Sequence, residues 1–179
     1  MPLSIAEINP EVLVSLGEVT LVDDPFVQFL KARGEHTVNR RIRLCAHPGA
    51  DDPLHEMMIV LFGSSYIPPH AHRGKSESFH MIEGAADVIL FTADGTPEQA
   101  LHLSEIRGGG HFYYRLGSDR FHTIIPRTSC VVFHETTNGP FRRQDTINAP
   151  WAPEQQAAEA EVLDYMNRLR QFAVRYHER

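Results

Sequence analysis

Two histidines set two residues apart, and a carboxylate five residues beyond the second, stand in the stretch "PPHAHRGKSESFHMIEG" at residues 68–84. In an extended strand alternate side chains share a face, so His70 and His72 project together, about 6.6 Å apart along the chain. Both imidazoles can then converge on one cation at the ~2.0–2.2 Å of a metal–nitrogen bond. The segment "RGKS" reads as a turn that returns the next strand beside the first and brings Glu77 inward as a carboxylate ligand. A further ligand must come from a distant strand. His122, in "DRFHTII", is the candidate because it follows a Gly-containing turn and shares parity with the inward-type Ile124. Tyr66 and Pro68 share the parity of His70, so Tyr66 is expected to line the same interior.

A single strand histidine is ordinarily a surface group or a satisfied core residue, and this chain has 11 histidines to scatter. The full spacing, H-x-H-x4-E-x6-G followed by a histidine on another strand, is what points to a metal. A second polar set is Arg41, Arg43 and His47, which share one face of "VNRRIRLCAH". They could form a cationic patch for a carboxylate or a sugar phosphate, or equally an ion-pair network at the barrel edge. His80 has opposite parity to Glu77 and should point away from the metal. His134 reads as core or interface, and His36, His55, His102 and His177 as surface. His111 is placed near the barrel mouth without touching metal.

The elements needed to hold these groups can be read from periodicity. "NPEVLVSLG" carries helix signals: Asn9 as cap, Pro10 at the first helical position and Gly17 beyond the end. "DDPFVQFLKARG" repeats them. From Val38 to about residue 150 come short runs rich in β-branched and aromatic residues, cut every eight to twelve residues by Gly, Pro, Asp or Asn. That rhythm indicates an all-β sandwich or small barrel, with "TADGT" as a hairpin turn. After "APWAP" a stripe of Ala158, Val162, Tyr165, Leu169, Phe172 and Tyr176 predicts a long amphipathic helix packed on its own barrel.

Bulk properties exclude several classes. The formal net charge of -6, with no basic block, disfavours nucleic acid and anionic membranes. The start "MPLSIAEINP" lacks the features of a signal peptide, and no apolar run approaches a membrane span. Cys45 and Cys130 lie far apart without metal-type spacing, as expected for thiols in a reducing, cytoplasmic setting. The length of 179 residues suits a single domain: a helical segment over 1–36, a barrel over 37–150 and a helix over 151–179.

His70-Ala-His72, Glu77 and Gly84 resemble the first motif of the cupins, with His122 in the place of the second motif's histidine. "HPGADDPLHEMMIVLFGSSYIPPHAH", then "GPF" and "APWAPE", is similar to the WbuC-type cupin-fold metalloproteins found among lipopolysaccharide O-antigen genes. The chain departs from that pattern at "LGSDRFH", which lacks the usual Pro-x-Gly, and at Cys45, where an asparagine is usual. The resemblance implies an all-β cupin jelly-roll (a double-stranded β-helix) with two short N-terminal helices and one long C-terminal helix. It also implies a homodimer and one divalent ion, Fe, Mn, Ni or Zn, on His70, His72, Glu77 and His122. Tyr66, Arg41, Arg43 and His47 would face a small-molecule ligand. Three functions follow: an enzyme acting on a sugar or sugar nucleotide in polysaccharide synthesis, an iron-dependent dioxygenase of a small acid or thiol, or a non-catalytic binder.

Overall fold

The computed structural model describes residues 4–178, which form two facing β-sheets with one helix on the outer side of each. The first sheet has seven strands. They are β1 (Ile5–Asn9), β2 (Val12–Ser15), β3 (Arg41–Cys45), β4 (Leu54–Phe62), β11 (Cys130–Asn138), β6 (Glu77–Glu83) and β9 (Tyr113–Leu116), in that spatial order. The second has five: β12 (Thr146–Asn148), β5 (His70–His72), β10 (His122–Pro126), β7 (Ala85–Phe91) and β8 (Pro97–Ser104). Neighbours are antiparallel except β2 and β3, which run parallel.

Strand parity sorts the side chains into three packed layers. Between the sheets lie Leu61, Phe79, Met81, Val88, Leu90, Ile124, Val131 and Phe133. Outside the seven-stranded sheet, Ile42, Leu44 and Val60 meet Val27 and Leu30 of α1 (Asp24–Gly34). Outside the five-stranded sheet, Ile89, Phe91 and Ile125 meet Tyr165, Met166, Leu169 and Ala173 of α2 (Glu159–His177). The α2 contacts recur at three- and four-residue spacing, the period of a helix laid along an apolar surface. α1 starts on Asp23, whose carboxylate accepts from the Phe26 amide at 3.0 Å.

One expected helix is absent. Residues 5–15 form a hairpin, and Asn9 caps a turn rather than a helix: its side-chain oxygen accepts from the Glu11 amide at 2.9 Å. The cap and Pro10 signals are shared by turns and helix starts, so they do not choose between them. The alternating burial of Val12–Ser15, with Leu13 and Ser15 inside, and the pairing of β2 with β3 decide for strand. The N-terminal region therefore contributes one helix and two strands rather than two helices.

Gly84, which closes the opening motif, has φ +79 where β6 turns into β7. A Cβ there would lie 2.5 Å from the Cys130 carbonyl oxygen, so both the backbone angle and the space require glycine. No helix among the described residues is long and apolar enough to cross a membrane.

Candidate metal centre

The three imidazoles come from one sheet. His122 opens β10 directly opposite His70 in β5, and His72 lies two residues further along the same face. Glu77 opens β6 in the facing sheet. The "RGKS" turn therefore does not return the chain beside β5 but carries it across the gap to the other sheet. Three contacts fix this crossing: the Gly74 amide donates to Asp119 at 2.8 Å, Lys75 Nζ to the Pro140 carbonyl at 2.6 Å, and the Ser76 amide to Asn138 at 2.9 Å. Gly74 takes φ +65 within it.

One ligand-type atom from each of His70, His72, Glu77 and His122 lies within 4.8 Å of the other three. Ligands about 2.1 Å from a common ion are separated by roughly 3–4.2 Å, so a small contraction would bring the four onto a cation. Glu77 Oε1 and His122 Nε2 stand 2.8 Å apart, Glu77 Oε2 and His72 Nε2 3.4 Å apart. Glu77 and His122 are almost wholly buried. Glu77 Oε1 and His122 Nε2 are close yet lack hydrogen-bond geometry and have no other partner. Two buried polar atoms left unsatisfied and aimed at one point are costly unless something between them completes the set. These residues fit a divalent cation.

The far ring nitrogens are tied down. His70 Nδ1 lies 2.9 Å from the Pro68 carbonyl oxygen and His122 Nδ1 2.9 Å from that of Arg120. A carbonyl only accepts, so each Nδ1 carries the proton and each Nε2 presents its lone pair inward. Electrostatics agrees with a ligand set. Burial, reinforced by His122, pushes His70 down to about 3, so it is neutral at ordinary pH. Burial acts to raise the Glu77 carboxyl, but the positive charge that His122 carries when a proton rather than a cation sits between them overrides it and holds it well below the usual range. His122 is raised, with Glu77 outweighing burial.

The cluster borders a cavity of about 870 Å³ between the sheets. Its walls are mainly apolar, with Ile59, Leu61, Ile67, Phe79, Ile124 and Phe133 among them. Arg41, Arg43 and His47 line it, but they differ in state. Arg41 is engaged by Glu11, Nε to Oε2 at 3.2 Å. His47 is stacked on His55 at 4.0 Å, shares Nδ1 with the Glu56 backbone, and is lowered by burial, so it is neutral near pH 7. Arg43 has no carboxylate within 4 Å among the described residues.

Tyr66 is not in the cavity. Residues 64–69 lie outside any strand and include Pro68 and Pro69, so alternation back from His70 fails. Ile67 faces the cavity instead, while Tyr66 lies under α2, 6.3 Å from the Tyr165 ring, and donates its hydroxyl to the Pro153 carbonyl at 2.7 Å. Two histidines moved from their expected places: His55 is buried rather than exposed, and His102 is half-buried beside Asp87. His177 is exposed as expected, its Nε2 3.1 Å from Asp87. His36, His80 and His111 are exposed.

Glu135 was not singled out from the sequence, yet it enters the cavity from β11. It pairs across from Phe79, one step diagonal to Glu77. Burial first, and then the Glu77 charge, push its carboxyl up to about 8. The alternation of Phe133, Glu135 and Thr137 on one face of "VVFHETT" was the available signal. Cys45 also lines the cavity, where burial raises its thiol.

Two facing sheets with a three-histidine, one-glutamate cluster between them define a cupin-like fold with a candidate divalent-metal site. The family described as a domain of unknown function, DUF6016, matches residues 22–103, which include His70, His72, Glu77 and Gly84. No curated protein matches. Among solved structures, a Shewanella oneidensis protein is similar at 10% identity over 83% of this chain and 94% of its own, with a TM-score of 0.55. An uncharacterized conserved Klebsiella pneumoniae protein with a double-stranded β-helix domain matches at 14% identity, 61% and 84% coverage and TM-score 0.46. Bacillus subtilis oxalate decarboxylase matches at 18% identity over 55% of this chain, with a TM-score of 0.42. The chain spans only 24% of that enzyme's length.

Proposed function

We propose that this chain is a metal-dependent cupin that binds a small organic molecule beside a divalent ion held by His70, His72, Glu77 and His122. The observation that carries the reading is the convergence of four ligand atoms, two of them buried and unsatisfied, next to an apolar cavity. His70 and His122 would present Nε2 because backbone carbonyls hold their Nδ1 protons, and Glu77 would supply a negative oxygen from the opposite sheet. An ion in this donor set supplies Lewis-acid polarisation of a substrate oxygen or, if iron, dioxygen chemistry. Ile67, Phe79 and Ile124 border that end of the cavity, and the low polarity they lend it strengthens the charge interactions beside them.

The cavity carries hydrogen-bonding groups, Asn9, Lys75, Thr137 and Asn138 among them, beside a sheet floor of Ile59, Leu61 and Phe133. That apolar floor favours the second reading from the sequence, a small acid or thiol as the molecule acted on, over a sugar nucleotide. The test is elemental analysis of protein purified without chelators or added metal, alongside oxygen uptake. About one divalent ion per chain is expected, falling to a small fraction in both His70→Ala and Glu77→Ala. Unchanged metal in both variants would end the proposal. Stabilisation by a nucleotide sugar, with none by acids, would restore the polysaccharide reading.

A further inference from the structure

The cavity is polar at the metal-type cluster and at Arg43, an apolar row of Ile59 and Phe133 runs between them, and Glu135 and Thr137 stand beside that row on β11; this arrangement constrains what it can hold. The metal-type cluster lies at one end, under β5, β6 and β10. Arg43 lies on β3, separated from β6 by β4 and β11, so three strand spacings of about 4.8 Å intervene. Ile59 on β4 and Phe133 on β11 continue the row from Arg43 across the sheet floor. Val12 and Val14 on β2 flank the guanidinium from the other side.

Of the three cationic candidates on this wall, only one is available to an anion. Arg41 already has Glu11, and His47 is neutral and held by the Glu56 backbone. Arg43 is exposed at this wall and has no carboxylate within 4 Å among the described residues, Cys45 and the more distant Glu135 being the titratable groups that feel its charge. Its guanidinium presents a planar fork suited to an oxyanion. A sugar would leave its hydroxyls unpaired against Ile59, Leu61 and Phe133, whereas an apolar chain would not.

We propose that the cavity's ligand is an elongated amphipathic carboxylate, its carboxylate on Arg43 and its apolar body along Ile59, Phe133 and Ile124 toward the metal-type cluster. The assignment of the far end rests on the metal reading above; the Arg43 end does not. Three strand spacings of about 4.8 Å, shortened by a contact distance at either end, match an extended chain of roughly eight to ten carbons, and the cavity of about 870 Å³ has room for it. The acid would therefore enter tail first, with its reacting carbon remote from its carboxylate.

The experiment is calorimetric titration of the full, metal-loaded chain with hexanoate, octanoate and 1-octanol. Octanoate is expected to bind, and more tightly than hexanoate by about fourfold for each added methylene. 1-Octanol should bind at least about tenfold more weakly than octanoate, the factor lost with one charge-assisted contact. Arg43→Gln should remove that selectivity while leaving 1-octanol binding unchanged, and Arg43→Lys should restore part of it. Equal binding of the acid and the alcohol by the wild type would overturn the proposal without any variant. So would unchanged octanoate affinity in Arg43→Gln, which would make the guanidinium a structural counterpart of Glu135 or place the carboxylate on the metal. The same titration on metal-free protein separates the two readings. Selective octanoate binding without metal in any preparation leaves this proposal standing while the metal reading falls, and a stoichiometric ion without acid binding does the reverse.

Discussion

Glu135 offers a test of the cavity's electrostatics that needs neither substrate nor metal. Its side chain projects into the cavity between the sheets and is half-buried there. Burial and the nearby Glu77 hold its carboxyl at about 8 instead of 4.5. Between those values the folded protein keeps a proton that the unfolded chain has released. Stability therefore falls as pH rises through that window and is flat above it. At about 1.4 kcal/mol per pH unit, the ceiling is on the order of 5 kcal/mol. Water entry and side-chain relaxation would reduce this to roughly 2–4 kcal/mol. Glu135→Gln cannot ionise, so it should match the metal-free wild type near pH 5 and exceed it by that margin at pH 8.5. Urea unfolding of both proteins at intervals across this range measures the difference directly. A cation on Glu77 neutralises part of the repulsion, so metal loading should narrow the gap. Parallel stability curves for the two proteins would show that Glu135 titrates normally and that the cavity is wet.

Tyr66→Phe should cost about 1 kcal/mol in urea unfolding through loss of the bond to Pro153, with metal content and ligand titration unchanged. A change in ligand affinity would return Tyr66 to the cavity. Gly84→Ala should cost at least about 2 kcal/mol, since it adds left-handed strain to a contact with the Cys130 carbonyl; a wild-type midpoint would contradict the turn described here.

What the sequence disclosed depended on how local the determining physics was. His70 and His72 share a face because strand geometry has a period of two, whatever the rest of the chain does. His122 could be paired with them because its own strand "HTII" is regular. The same rule failed at Tyr66, where the chain before His70 is not a strand and parity has no meaning. Asn9-Pro10 failed for a different reason: an Asx turn and a helix N-terminus use the same side-chain bond, and only the partner strand β3 distinguishes them. Glu135 lay in plain view at interior parity, yet its importance depends on which of two faces is inside and on Glu77 from another strand. Arg41, Arg43 and His47 were legible as a group. Their separate fates were set by Glu11 and by the Glu56 backbone, which no spacing within "RIRLCAH" reveals.

The placement of the ligand atoms also bears on whether an ion would serve chemistry or architecture. His70, His72 and His122 belong to the five-stranded sheet and Glu77 to the seven-stranded one, so a shared ion would join the sheets at that edge. β5 and β12 are three residues each, so few ladder hydrogen bonds hold the sheet there. A structural role would be complete once the sheets were joined, and nothing would then require an apolar cavity beside the ion. Here the cavity runs from the cluster to the exposed guanidinium of Arg43 on β3, which has no carboxylate within 4 Å among the described residues. The strut and the pocket thus share one set of side chains, and the pocket is the part that a purely structural ion leaves without a reason.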